Sequence, residues 1–247
     1  MIEDPARKQL RNTGAVKNEK KAVQSRYERL RDPLLTGLTI ALSLLLFVVA
    51  PLQATGNIDA HHFGLAFSLV FVGAVFVVSA SRLALVAILF AIALAMMATI
   101  LRFRHPSQLD IFLDASAWLV FGLTLTAVVA HAVFAPGKVT FHRIIGAVLL
   151  YLNIGLIFVA LFCFVALSDP HAFNGLPPLQ DNLALAGNLI YFSFVNLTSV
   201  GYGDIVPLHP IARSLANIES IMGQLYPATL IARLVSLELQ DRNTNKY

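Results

Sequence analysis

Charge is what this chain has least of. Only 13% of its 247 residues are Asp, Glu, Lys or Arg, against roughly 25% in soluble domains, too few to cover a large wetted surface. Cysteine occurs once, at Cys163, so no intrachain disulfide can form and its expected role is packing within an apolar segment. The Ser, His and Asp order of a hydrolase triad, metal-ligand spacing and a phosphate-binding glycine loop are all missing, which argues against an enzyme. There is no internal repeat, low-complexity tract or soluble ligand-binding domain. No cofactor and no nucleic-acid partner is expected.

What is present is apolar length. Hydrophobic residues make up 57% of the chain, and about 20 helical residues cross a bilayer. Six stretches reach that length, near 34–51, 62–80, 83–101, 111–134, 143–167 and 210–237. A seventh, at about 183–197, is too short to span and reads as re-entrant. The polar segment before the first stretch and the lack of a small-residue cleavage site after it argue against a removable signal peptide. Residues 1–33 hold Arg7, Lys8, Arg11, Lys17, Lys20, Lys21, Arg26, Arg29 and Arg31, which places the N-terminus in the cytoplasm. The 168–210 connection has no Lys or Arg and falls outside, the 135–143 connection with Lys138 and Arg143 falls inside, and both termini are then cytoplasmic. Arg102 and Arg104, in the 102–110 loop, run against this rule. The basic segment 1–33 is either a helix on anionic lipid, with Val16, Val23, Tyr27 and Leu30 on one face, or a solvated tail.

Between the short stretch and the last span lies Thr198-Ser199-Val200-Gly201-Tyr202-Gly203-Asp204. This run resembles the selectivity filter of potassium channels, the standard example of a filter built from backbone carbonyls. Oxygens can replace an ion's water shell only if neighbouring peptides point the same way, and glycine at 201 and 203 relieves the steric cost. The resemblance covers about 143–237 and implies a member of the voltage-gated-like superfamily. Four chains would surround one axis, with K⁺ held at Ser199, Val200, Gly201 and Tyr202 and with Thr198, Gly203 and Asp204 completing the filter. Ser199 stands where most relatives have a second Thr, so a hydroxyl stays and a methyl is lost at the inner site. The expected architecture is an all-α membrane protein: six transmembrane helices plus a re-entrant pore helix and filter, as a homotetramer. It divides into a basic segment 1–33, a four-helix bundle 34–134 and a pore domain 135–247. The resemblance also implies a multi-pass protein of the bacterial inner membrane whose only small-molecule partner is permeant K⁺. A poorly selective cation channel is one alternative reading; a non-conducting membrane subunit or sensor is the other.

Around the filter, Asp181 and Asn182 are suitable helix starts, and the C-terminal end of the helix would turn its negative dipole toward the ion path. Relatives tie the carboxylate after the filter to the pore helix. Val195 occupies the position four before Ser199, so a carboxyl partner is missing; either Tyr191 donates to Asp204, or Tyr191 only packs and Asp204 is solvated. Gly223 lies twenty residues past Gly203, where similar bacterial channels have a gating hinge, and Pro227 follows four later. The pair is either a hinge or a static kink. Gln224 is expected to line the cavity, and Arg213 to hold a carboxylate or backbone group. Glu219 is deep in span six, where a carboxylate is costly and seldom idle; it faces the cavity or supports the filter from behind through Asn196 or Thr198, the second being favoured. His61 and His62 are weaker candidates for binding metal or sensing pH, His209 is one for sensing protons, and Asp114 is expected to be satisfied by a neighbouring span. Span four, Ile111–Phe134, has no Arg or Lys. Each charge crossing the field contributes only about 2.3 kcal/mol per 100 mV, so steep voltage gating is not expected.

Overall fold

The computed structural model describes residues 35–54, 82–104, 108–134, 141–176 and 182–244. The basic segment 1–33, the second apolar stretch at 62–80, His61 and His62, Lys138 and Asp181 lie outside the described residues. Six helices carry nearly all of the remainder: α1 (residues 35–54), α2 (Arg82–Arg104), α3 (Gln108–Val133), α4 (Phe141–Ser168), α5 (Asn182–Leu197) and α6 (Pro210–Thr244). Two short strands, β1 (Phe173–Asn174) and β2 (Val206–Pro207), pair antiparallel, Phe173 opposite Pro207 and Asn174 opposite Val206.

The molecule is organised around α4. Of its span, 72% is buried by the other helices, against 22% for the span of α2. One side of α4 meets α3 and the other meets α5 and α6, so it joins the leading bundle to the unit that carries the Thr198–Asp204 run. The α2 stripe that packs inward is mostly alanine (Ala84, Ala91, Ala98, with Ile88), and small residues are what let helices approach closely where lipid offers no hydrophobic drive between them. Leu83, Val86, Phe90 and Met96 are exposed on the same helix. α1 contains a π turn, Leu45–Val49, directly before Pro51, whose ring displaces the carbonyl four residues back, that of Phe47. The widened turn carries Phe47 edge-on to Phe194 of α5, with ring centres 5.6 Å apart.

Four described helices are long and apolar enough to cross a membrane: Leu35–Leu52, Arg82–Leu101, Gln108–His131 and Phe141–Ser168. α6 has the length, at 35 residues, but Arg213, Glu219, Gln224 and a charged end lower its hydropathy. α5, at 16 residues, is too short.

Candidate ion conduction site

α5 is anchored before it is aimed. Leu185, Leu189, Phe192, Ser193 and Leu197 are buried, a spacing that marks one helical face. Phe192 sits in a cluster of edge-to-face rings with Phe162 of α4 (4.9 Å) and Phe173 of β1 (5.5 Å), contacts worth about 0.5–1.5 kcal/mol each beyond burial.

The last four carbonyls of a helix have no partner within it, and in α5 all four are claimed. Phe194 O accepts from the Thr198 amide and hydroxyl, Val195 O from the amides of Val200 and Gly201, and Asn196 O from the Ser199 amide and the Ser220 hydroxyl. Leu197 O accepts from the Tyr151 hydroxyl at 3.2 Å. The Val200-to-Val195 and Ser199-to-Asn196 bonds make a Schellman cap, which requires a left-handed residue at Ser199. Its φ is 57°, a conformation that costs an ordinary residue about 1–2 kcal/mol.

The left-handed turn recurs at every second position. Gly201 has φ 60° and Gly203 φ 79°, while Val200 and Tyr202 stay in the usual half of the map. The amides of Thr198, Ser199, Val200 and Gly201 are spent on the helix end. Thr198 to Asp204 are all exposed in the single protomer, Val200 at 52% and Tyr202 at 72%.

Behind this loop, Tyr191 stacks on Tyr202, with centres 6.3 Å apart and planes 3° from parallel, and Asp204 is within its electrostatic reach. Tyr191 packs on a ring and Asp204 is exposed. Val195 contributes its carbonyl to the cap. Outside the loop, Gly175 (φ 87°) lies so close to the Asp204 carbonyl that a Cβ there would overlap it. Arg213 holds Pro207 O through Nε at 3.0 Å, and the His209 ring nitrogen Nδ1 accepts from the Ile211 amide at the start of α6.

α6 approaches with Ala212, Ala216, Glu219 and Gly223 buried. A Cβ at Gly223 would overlap the Leu197 carbonyl oxygen, so this glycine makes room for the end of α5. Glu219 has 0% of its surface exposed and meets the Ser193 hydroxyl at 2.5 Å, a partner different from the Asn196 or Thr198 expected. Asn196 Nδ2 and Glu219 Oε2 are buried without hydrogen-bond partners. Gln224, exposed, donates to Ser199 Oγ at 3.0 Å. α6 continues through Pro227, beside which the Tyr226 hydroxyl donates to Ala147 O at 2.7 Å.

Ser193, Gly155, Tyr151 and Gly175 were not anticipated. Ser193 had a signal, a small hydroxyl on an otherwise apolar face. The other three are defined by what lies across from them, which no local pattern reports.

Residues 146–239 match the ion channel family, and the match supports an ion channel domain and not an enzyme. Protein LctB of Bacillus caldotenax is 38% identical over 56 residues, 23% of this chain and 41% of the relative. Protein LctB of Geobacillus stearothermophilus is 30% identical over 80 residues, 32% of this chain and 59% of the relative. The chain therefore spans less than two-thirds of the length of these curated relatives. No solved structure matches it.

Proposed function

We propose that the protein is a potassium-selective channel, four copies surrounding one axis and passing K⁺ down its gradient without steep voltage gating. The observation that carries this is the left-handed backbone at 199, 201 and 203, with the intervening residues of ordinary hand. Alternation turns successive peptides so that their carbonyls share a side, the geometry in which backbone oxygens replace an ion's hydration shell. Among the described residues no hydrogen bond ends on the backbone oxygens of Ser199, Val200, Gly201 and Tyr202, which leaves them for an ion. One protomer supplies one side of each oxygen ring, and its exposed filter and the apolar outer residues of α6 (Ile218, Ile221, Leu225) favour neighbouring copies there.

In this reading α6 is the sixth span and lines the path, Gln224 faces the cavity, and Tyr191, Val195 and Glu219 support the filter. Gly223 and Pro227 are where α6 bends on gating. Both termini are cytoplasmic in a bacterial inner membrane. Purified protein in liposomes is the test: K⁺ passes and Na⁺ is held back. Equal passage of both ions, or of neither, contradicts the proposal.

A further inference from the structure

Glu219, Ser193 and the Gly155 carbonyl bring three helices to one point. Ser193 Oγ is 2.8 Å from Gly155 O and 2.5 Å from Glu219 Oε1. A serine hydroxyl has one proton to donate, and a backbone carbonyl has none. Were Ser193 to donate to Glu219, its oxygen would face the Gly155 oxygen at 2.8 Å with no hydrogen between them. If it donates to Gly155, the 2.5 Å contact needs a hydrogen from Glu219. Burial points the same way. Ser193 and Glu219 are each 0% exposed, and Glu219 Oε2 has no partner; a neutral carbonyl oxygen left unpaired costs far less than half of an ionised carboxylate.

We infer that Glu219 carries a proton and heads a directed chain, Glu219 Oε1–H to Ser193 Oγ and Ser193 Oγ–H to Gly155 O, that positions the pore helix between α6 and α4. The chain enters α5 four residues before Leu197, and the capped end of α5 sets the backbone at Ser199. Glu219 and Ser193 are thus positioning residues for the filter. The elements packed against α6 are α4, α5 and β2. On α4, Tyr151 is within electrostatic reach of Glu219; α5 offers the uncharged Ser193 and Asn196, with its Tyr191 stacked on Tyr202; β2 (Val206–Pro207) has no titratable side chain. A deprotonated Glu219 would leave its Oε1 and Gly155 O competing for the single Ser193 proton, so the chain needs the carboxyl proton.

The consequence for conduction rests on the channel reading; the proton on Glu219 does not. Infrared spectra of the reconstituted full-length protein at neutral pH test the proton. A protonated carboxylic acid band that shifts in heavy water should be present in wild type and absent from Glu219→Gln. Ser193→Ala, which removes the acceptor, should move that band to the frequency of a free acid, an independent check should Glu219→Gln fail to fold. An ionised carboxylate at Glu219, or a band indifferent to Ser193→Ala, overturns the inference. Flux tests the positioning: Glu219→Gln, still a donor, should keep K⁺ over Na⁺ preference within about threefold, while Glu219→Ala should lose tenfold or more. Equal damage from both overturns the positioning role. A protein that conducts neither ion but shows the infrared band defeats the channel reading alone.

Discussion

The leading bundle and the pore unit differ in where their side-chain hydrogen bonds to other helices gather. In the bundle, Ser43, Thr99, Ser116 and Thr124 each return the hydroxyl proton to the carbonyl four residues back on their own helix. Those bonds satisfy the group without specifying a neighbour. In the pore unit, Tyr151, Ser193, Ser220, Gln224 and Tyr226 all bond across helices or onto the filter. Cross-helix bonds in membranes average about 0.6 kcal/mol, so these contribute a few kcal/mol together. Their larger effect is geometric, since each fixes where one backbone oxygen or hydroxyl sits. The bundle also reaches α4, through Thr36 with His142 and Thr39 to Ile145 O, but the bonds of Tyr151, Ser193, Ser220 and Gln224 gather on α5 and the loop that follows it.

Asn153 is where the two meet. Buried in α4, it donates to Gly122 O (2.8 Å) and Thr126 Oγ1 (2.7 Å) of α3, and Gly122 packs so closely that a Cβ would collide with Ile157. Past Asp204 the chain is tied down by backbone: β1 to β2, Leu208 and His209 amides to Ala172 O, and Gly175 against Asp204.

The sharpest break in this contrast should come from the filter glycines. Gly201→Ala or Gly203→Ala forces a methyl-bearing residue into the left-handed region at about 1–2 kcal/mol per copy, four times over in a tetramer. K⁺ over Na⁺ preference in liposome flux should fall by at least tenfold in protein that still assembles. Gly223→Ala comes next, because its methyl would collide with Leu197 O. It should lower the midpoint of thermal unfolding and reduce selectivity as well as gating. Pro227→Ala, which touches no part of the filter, should change single-channel open probability and leave selectivity as it was. An unchanged open probability under several stimuli would remove the hinge role of Pro227.

Smaller effects are expected from the bundle. Asn153→Leu gives up two bonds to α3 and should cost about 1–2 kcal/mol of stability, read as a lower unfolding midpoint, with selectivity intact. Thr124→Ala removes a bond within one helix and should change neither stability nor flux beyond about 0.5 kcal/mol. Current against voltage in planar bilayers should show little gating charge, since α3 has no Arg or Lys and moving charge is what couples a helix to the field.

Much of the pore unit was legible in the sequence. The short apolar stretch at about 183–197 became α5, Asn182–Leu197, a helix too short to cross a bilayer, as its length in the sequence already said. Glycine at 201 and 203 announced a left-handed backbone on steric grounds. Ser199 did not, since nothing in a serine says it will occupy a Schellman position; that follows from where the chain must turn after α5. Glu219 announced a buried carboxylate needing a partner, but not that the partner was Ser193, which depends on how α6 rotates as Ala212, Ala216 and Gly223 close on α5. The stretch 210–237 became α6, the least apolar of the long helices, because it carries exposed Arg213 and Gln224 and a buried Glu219 among Ala212, Ala216 and Gly223.

One electrical measurement bears most directly on the central claim. With K⁺ on one side of a planar bilayer, Na⁺ on the other and equal concentrations, the reversal potential of the purified channel should lie strongly toward the value set by K⁺ alone, and Gly203→Ala should bring it toward zero. A wild-type reversal potential at zero, with open channels present, would contradict the reading of Thr198–Asp204 as a potassium filter.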